Sequence, residues 1–340
     1  MSLKSVKDCK VICLTPIKNE AWILERFLSC ASVWADHIIV ADQNSTDESA
    51  SIAKSFDNVR LISNPLEDFS EVDMRNLLLD EARKIDADRR VIISLDADEI
   101  LSFDGLKSAE WVSLVSLPKG SVIQMPWINL NPDMSSHRGG ITVNVGFVDD
   151  GQTEIKGGKL HGTRVIWPEQ EIRILRTTRL KLIHYNFVDP ERSRSKTRRY
   201  MAYELLSRNR YGVELFRQYI PDGNSLNHAV DPMWFRGYEE LGLDVTSVTS
   251  AYDYWHDYQV LDYLDKYGTD HFRLSGIWNK DWVGFAKGKK EHPERFKDPR
   301  SWIERKVQDY AIWSNRNGGF AKSLTVRILD KVLRYLRYSS

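Results

Sequence analysis

VIISLDADEIL, residues 91–101, joins an apolar run to a cluster of acids. Four apolar residues and a serine lead directly into Asp96, Asp98 and Glu99. Such a run is typical of a strand covered on both faces, whereas crowded carboxylates repel one another and lose hydration on burial. The stretch predicts a buried strand with a compensated group of carboxylates at its end.

The residues before this stretch alternate between apolar runs and amphipathic segments. We predict strands at 11–17, 37–42, 59–63 and 90–96, and helices at 20–35 and 71–85, with a short helix capped by Ser45 and Glu48 between them. This order indicates a mostly parallel, doubly wound sheet. Ligands of such sheets bind beyond the carboxyl ends of the strands, where Thr15, Asp42 and Asp96 fall.

Length and composition predict a globular chain of two domains. The chain has 340 residues, 42% hydrophobic and 28% charged, and its 48 basic residues equal its 48 acidic ones. This balance gives no support for nucleic-acid binding. Beyond residue 200 the sequence becomes polar and rich in tryptophan, so we predict a catalytic domain over 1–200 and a mainly helical extension over 201–340, packed on it.

The cysteines and the absence of long apolar runs predict a cytoplasmic location. Cys9, Cys13 and Cys30 are an odd set in a long chain whose first residues, MSLKSVKDCK, do not form a secretory signal. No stretch of 18 apolar residues occurs in the sequence, so we expect no membrane span.

Asp96 and Asp98 form the candidate metal site. Alternate residues of a strand share a face, and paired carboxylates suit Mg²⁺ or Mn²⁺, which retain positions for phosphate oxygens. The alternative is a solvated loop that caps the next helix. Position at the end of the fourth strand favours the metal and a nucleotide.

The first turn, TPIKNE at 15–20, is the candidate nucleotide-binding loop. Its members are Thr15, Pro16, Asn19 and Glu20, and the alternative, strongest for Asn19, is a helix cap. The turn lacks G-x-G-x-x-G and G-x-x-x-x-G-K-[ST], which argues against a dinucleotide cofactor and against a P-loop ATPase.

Four motifs together resemble glycosyltransferase family 2, which has the GT-A fold: VICLTPIKNEAWILERFL, HIIVADQNSTDES, MRNLLLDEA and VIISLDADEIL. The resemblance covers roughly residues 10–200. It implies a base and ribose pocket with Thr15 and Glu20, and a hydrogen bond from the base to Asp42. It also implies that Arg75 lies near the nucleotide, that Asp96 approaches the ribose or the ion, and that Asp98 binds the ion.

Further roles follow from the same resemblance. His184, after the last strand of the catalytic half, would approach the metal or the diphosphate, although a core histidine is the alternative. The nearby basic residues Arg192, Lys196 and Arg199 share one helical face. They would bind the diphosphate or an anionic acceptor, or else form a solvated helix face.

An inverting transferase also needs a general base. The segment WPEQEIRIL resembles the family's strand after the acceptor loop, so Glu169 and Glu171 are the candidates. Asp149, Asp150 and Asp189 are the alternatives.

The segment KSLTVRILDKVLRYLRY, residues 322–338, has apolar residues at near-helical spacing with basic flanks. We expect this helix to dock on the protein, and the alternative is peripheral contact with an anionic membrane surface, where lipid-linked acceptors reside.

These observations predict an inverting glycosyltransferase that uses Mg²⁺ or Mn²⁺. It would move a sugar from a nucleoside diphosphate donor, with UDP expected, to a hydroxyl of a saccharide or lipid-linked acceptor in surface polysaccharide or lipopolysaccharide synthesis. The alternatives are a nucleotidyltransferase, which usually has a glycine-rich first loop, and a non-catalytic nucleotide- or glycan-binding protein.

Overall fold

The computed structural model describes residues 9–64, 70–157, 162–167, 173–219, 227–247, 253–316 and 323–340. The chain divides into two compact units. The sheet unit contains residues 1–188 and 227–249, and the helical unit contains 189–226 and 250–340. The boundary proposed at residue 200 falls inside the helix Pro190–Arg208, because the chain leaves the sheet unit twelve residues earlier, after Val188.

The strands of the sheet unit form one mixed sheet. They are β1 (Cys9–Ile17), β2 (His37–Asp42), β3 (Val59–Ser63), β4 (Arg89–Ser94), β5 (Glu99–Leu101), β6 (Val122–Leu130), β7 (Ser136–Val148), β8 (Ile174–Arg176), β9 (Leu182–His184) and β10 (Asn227–Ala229). Their order is β3-β2-β1-β4-β7-β6-β9-β5, with β10 paired to β7 and β8 paired to β6. β1 to β4 are parallel, as the alternation predicted, and β7 is antiparallel to β4.

The helices of the sheet unit are α1 (Ala21–Trp34), α2 (Ser49–Lys54), α3 (Glu71–Arg83), α4 (Phe103–Leu106), α5 (Ala109–Leu114) and α8 (Met233–Glu240). Those of the helical unit are α6 (Pro190–Arg208), α7 (Gly212–Tyr219), α9 (Trp255–Tyr267), α10 (Trp282–Ala286), α11 (Trp302–Arg316) and α12 (Leu324–Tyr335), together with three 3₁₀ segments. Among the described residues, no helix combines the length and apolar character that a membrane span requires.

The two faces of the parallel sheet bury different side chains of β1. Val11 and Cys13 join a core with Phe27 and Leu28 of α1. Ile12 and Leu14 join a second core that includes Met74, Leu78 and Leu79 of α3. Because alternate residues of a strand point to opposite faces, a continuous apolar run is what a strand between two helical layers requires.

Two local predictions are wrong. The sequence segments EIRILR and LKLIHYNF, within 171–187, predict two strands that pair with each other. In the structure, β8 and β9 each lie parallel to β6, β8 at its beginning and β9 towards its end. Ser45 does not cap a helix, because its hydroxyl donates instead to Asp42, and α2 begins only at Ser49.

The sequence SRSKTRRYMAYELLSRNRYGVELFRQY, residues 193–219, predicts a helix with a break near Gly212, and the structure has this break. α6 ends at Asn209, whose φ is 51°, and α7 begins at Gly212, whose φ is 65°. A Cβ atom at Gly212 would lie 1.8 Å from the carbonyl oxygen of Tyr338, so only glycine fits this close approach. Trp278 and Trp282 are buried in the main core of this unit, whereas Trp302 and Trp313 are exposed.

Candidate functional site

The carboxyl ends of β1, β2 and β4 bring three predicted residues to one edge of the sheet. Thr15 pairs with Val40, two residues before Asp42, and Leu14 pairs with Ser94, two residues before Asp96. Parallel register therefore places the polar residues of three strands at the edge where such folds bind ligands.

Asp42 organises the loop that follows β2. Its Oδ1 accepts hydrogen bonds from the hydroxyl of Ser45 at 2.6 Å and from the Ser45 amide at 3.1 Å. The Ser45 hydroxyl in turn accepts from the amide of Asn19 at 2.9 Å, and Asn19 Oδ1 accepts from the amide of Thr46 at 2.7 Å. Asn19 adopts a φ of 53° and links the first turn to the second, so its contacts here are those of a loop residue.

The remaining candidate residues of the first turn differ in their exposure to solvent. Pro16 and Glu20 are partly exposed, and a Glu20 carboxylate oxygen accepts a hydrogen bond from the indole of Trp22 at 2.7 Å. Thr15 is fully buried, and its hydroxyl makes no hydrogen bond within the described residues. Of the four candidates in this turn, Thr15 is therefore closed to solvent, whereas Pro16, Asn19 and Glu20 are partly exposed.

The acid cluster after β4 is compensated by two arginines. Arg75, buried on α3, donates to Ser94 at 2.7 Å and to Oδ1 of Asp96 at 3.1 Å. Arg164 donates to Oδ2 of Asp96 at 2.7 Å and to Glu99 at 2.5 Å. Burial of these carboxylates is tolerable because each has a guanidinium within hydrogen-bonding distance.

Arg164 is a site residue that the sequence did not reveal. Burial lowers the pKa of its guanidinium, but the charges of Asp96 and Glu99 outweigh burial and raise that pKa. Arg164 follows Asp96 by 68 residues and belongs to no recognisable motif, so only the folded chain identifies it. The sequence predicted a metal ion as the compensating charge, and the structure adds Arg75 and Arg164 to that role.

Asp98 and His184 lie together. His184 Nε2 is 3.5 Å from Asp98 Oδ1, and both residues are buried. His184 Nδ1 is 2.6 Å from Oδ1 of Asn129, so the tautomer with a proton on Nδ1 would donate a hydrogen bond to this amide oxygen. The ring of Trp127 stacks on the imidazole at 4.7 Å and fixes its plane.

This geometry fits a divalent cation. With a proton on Nδ1, the imidazole directs the lone pair of Nε2 toward a carboxylate oxygen, so two acceptors face each other. A cation ligated by Nε2 and by this carboxylate oxygen would suit the arrangement. The described residues contain no group of three or more His, Cys, Asp or Glu placed to hold a metal, so an ion here would take its other ligands from water or phosphate.

Three of the five candidate general bases lie among the described residues. Glu169 and Glu171 lie outside the described residues. Asp149 is at the opposite edge of the sheet, where its amide donates to the carbonyl of Arg90 near the start of β4, and Asp150 follows it. Asp189 caps α6 and accepts a hydrogen bond of 2.5 Å from the hydroxyl of Tyr254.

Within the helical unit, the predicted basic residues cluster around a histidine. Burial lowers the pKa of His256 well below its usual value, and the charges of Arg192, Arg199 and Lys196 lower it further. The guanidinium of Arg199 lies 4.8 Å from the ring of Trp255, which stacks on His256. The buried His256 Nδ1 makes no hydrogen bond within the described residues. Together these residues form a cationic cluster around a neutral imidazole. Arg192 and Arg199 of this cluster are buried as well.

The family comparison agrees with the motifs. Residues 13–109, from β1 to the start of α5, match the model of Glycosyl transferase family 2. This match confirms the predicted resemblance to glycosyltransferase family 2, the GT-A-like fold class and the enzyme class. No curated protein matches the chain.

Solved structures give more distant likenesses. TarS from S. aureus is 12% identical, with 91% of this chain and 92% of that chain covered and a TM-score of 0.35. Glucosyl-3-phosphoglycerate synthase from Mycobacterium tuberculosis, solved with Mn²⁺, UDP and glucosyl-3-phosphoglycerate, is 17% identical over 35% of this chain, with a TM-score of 0.26. The match spans only 44% of that synthase. A 4-diphosphocytidyl-2C-methyl-D-erythritol synthase is 18% identical over 36% of this chain and 62% of its own, with a TM-score of 0.25.

Proposed function

We propose that this glycosyltransferase moves a sugar from a nucleoside diphosphate donor, with UDP as the nucleotide, to a hydroxyl of a saccharide or lipid-linked acceptor, with inversion. The observation that carries the proposal is the shared position of Asp42, Asp96 and Asp98 at the carboxyl edge of the parallel sheet. The family match over this region supports it.

Asp98 and His184 would hold Mg²⁺ or Mn²⁺, whose charge would stabilise the departing diphosphate. Asp42 would accept a hydrogen bond from the base, beside a loop that Ser45 already holds in place. Arg75 and Arg164 hold Asp96 at the mouth of the site, where 35% of its side chain is exposed to a ribose or an ion.

The cationic cluster around His256 would bind an anionic group, either the donor diphosphate or a charged acceptor. Arginine suits this role because its planar fork pairs with phosphate or carboxylate oxygens. Burial and the surrounding cations lower the pKa of His256, and a bound anion would oppose both effects, so His256 would take up a proton more readily and help to neutralise the anion.

The general base would be Glu171, or failing that Glu169. Substitution by glutamine keeps the side-chain shape and removes the proton acceptor. We expect turnover to fall about 10²–10⁴-fold while donor binding remains near wild type. Wild-type turnover in both variants would exclude this assignment.

The cellular setting is also part of the proposal. Cys9, Cys13 and Cys30 are buried free thiols, which suits a reducing cytoplasm. We propose a role in surface polysaccharide or lipopolysaccharide synthesis.

A thermal-shift panel tests the proposed activity. At one hundred times its dissociation constant, a nucleotide stabilises the protein by about 2.7 kcal/mol. We expect UDP to give a shift of this kind with Mn²⁺ and a much smaller one with EDTA, and a UDP-sugar with acceptor to release UDP. Equal thermal shifts with Mn²⁺ and with EDTA would exclude a role for the metal ion in nucleotide binding. A CTP-dependent release of pyrophosphate would favour a nucleotidyltransferase, and nucleotide binding without turnover of any donor would favour a binding protein.

A further inference from the structure

Helix α12 is fixed to the helical unit through one face. Val326 is 1% exposed, and Leu333 packs against a core cluster that contains Phe216 of α7 and Val307 of α11. Asp330 accepts hydrogen bonds from both terminal nitrogens of Arg217, at 2.5 and 3.0 Å, and from the hydroxyl of Tyr310 at 2.8 Å. The orientation of the helix about its own axis is therefore determined by apolar packing and a partly buried ion pair.

This orientation leaves a large apolar surface exposed. Six side chains, which we call the outer face, are between 42% and 87% exposed: Leu324, Ile328, Leu329, Val332, Tyr335 and Leu336. At about 100° per residue they span an arc of about 140°. The expected docking of α12 therefore involves only its narrow inner face, because a contiguous apolar stripe of this width remains outside.

Positive charge adjoins the outer face. Arg327, Lys331 and Arg334 follow it around the helix on one side, and Arg337 lies just beyond; all four are exposed. The single acid between residues 323 and 340 is Asp330, which pairs inward with Arg217. The exposed surface of α12 thus combines apolar and cationic side chains without an outward acid.

An exposed aromatic residue also lies on the neighbouring helix α11. Trp313 is 48% exposed, and its ring centroid lies 6.3 Å from that of Tyr310, which contacts α12. Tryptophan and tyrosine are enriched at the level of lipid headgroups, because one end of each ring system is apolar and the other polar.

We propose that the outer face of α12 binds an anionic phospholipid surface, with its apolar side chains among the acyl chains and its cations against the headgroup phosphates. Charge complementarity selects this occupant. A second copy of the helix would bring like charges together. A neutral surface would leave the cations of α12 without anionic partners. The inference goes beyond the proposed function and does not rest on it, since binding to lipid requires no turnover.

Vesicle co-sedimentation tests the proposal. Wild type is compared on vesicles of phosphatidylcholine alone and of phosphatidylcholine with phosphatidylglycerol, with I328E/V332E, R327E/K331E and L241E as variants. Leu241 is the matched control, since it is 58% exposed but belongs to the sheet unit. All of these positions are exposed, so circular dichroism and thermal midpoints should match wild type.

We expect wild type to bind the anionic vesicles more tightly than the neutral ones, and more weakly as salt rises. Each double variant should bind anionic vesicles at least about tenfold more weakly, because a surface cation contributes roughly fivefold in affinity, and L241E should bind like wild type. Absent binding by wild type, or binding by both double variants that is as tight as that of wild type, would overturn the proposal. A concentration-dependent dimer that I328E/V332E dissociates, without vesicle binding, would identify a second copy as the occupant instead.

Discussion

Two groups of acids and arginines lie at opposite edges of the same sheet. At the amino edge, Arg83 donates to Asp149 at 2.9 and 3.1 Å and lies 3.8 Å from Asp150, and Arg90 lies 3.9 Å from Asp149. There, two carboxylates face two guanidiniums. Balanced pairs of this kind stabilise the packing of loop, helix and strand and leave no charge to recruit a ligand.

The carboxyl edge also pairs acids with arginines. Asp96 and Glu99 pair with Arg75 and Arg164, and Asp98 lies beside His184. The two edges therefore differ in one respect: at the carboxyl edge a carboxylate adjoins an imidazole, whereas at the amino edge the named carboxylates adjoin guanidiniums. An imidazole and a carboxylate are both metal ligands, so the predictions below separate the two edges by their response to a divalent ion.

The largest expected effect separates the two edges by activity. Asp98→Asn should lower turnover by about 10³-fold or more, since a bound ion contributes several kcal/mol to transition-state charge stabilisation. Asp149→Asn should lower the free energy of unfolding and leave turnover per folded molecule near wild type. Steady-state kinetics and urea unfolding of both variants measure this. Equal losses of turnover would show that the edges do not differ in function.

The next effect concerns the arginines. Arg164→Met leaves the fully buried Glu99 and one oxygen of Asp96 without their cation, so we expect a loss of about 3–5 kcal/mol in unfolding free energy. Arg83→Met should be destabilising as well. The two variants should differ in their response to Mn²⁺, because an ion can replace lost positive charge only at the carboxyl edge.

Thermal unfolding with Mn²⁺ and with EDTA measures that difference. Stabilisation by Mn²⁺ should exceed the wild-type value in Arg164→Met and equal it in Arg83→Met. The same Mn²⁺ response in both variants would remove Arg164 from the neighbourhood of the ion.

The contrast also shows what sequence could predict. The alternation of strands and helices from β1 to β4 could be predicted, because a strand buried on two faces requires a continuous apolar run. The position of the acids after β4 could be predicted as well, because parallel strands align their carboxyl ends. Arg164 was not readable, since it reaches Asp96 only through the folding of a long connection. Asp149 and Asp150 looked like candidate bases, and only the antiparallel pairing of β7 with β4 places them at the far edge.

Register explains the other residues that were missed. Asn129 and Trp127 contact His184 because β9 lies beside the end of β6, with Asn129 paired to His184. The sequence instead suggested that β8 and β9 pair with each other. A three-residue strand carries too little pattern to specify its partner strand. The contacts of Asn129 and Trp127 with His184 depend on that pairing, so they could not be predicted from the sequence.

An effect of intermediate size on ion affinity tests the role of Asn129. Asn129→Leu removes the acceptor that orients the imidazole, so we expect ion affinity to fall about 10–100-fold. Asn131→Leu is the matched control, because Asn131 is a buried asparagine just after the same strand whose amide donates to Ser136 and Asn227. Calorimetric titration with Mn²⁺ in the presence of UDP measures both. An unchanged affinity in Asn129→Leu would mean that Asn129 does not control the ligand.

The smallest effect concerns protons at the amino edge. Burial alone raises the pKa of Asp150, but hydrogen bonds from Thr153 and Gln152, with the charge of Arg83, outweigh it and lower that pKa. The folded state then binds fewer protons than the unfolded state, so stability from this group is full above the unfolded pKa of about 3.9 and is lost as pH falls through the folded value. Asp150→Asn should therefore cost about 1 kcal/mol at pH 6, and the difference from wild type should shrink toward zero by about pH 2. Urea unfolding of both proteins across this range gives the difference directly, and the carboxylates common to both cancel. A difference that stays constant with pH would show that the Asp150 carboxylate contributes shape and not charge, and the balance of charge at this edge would then have to be revised.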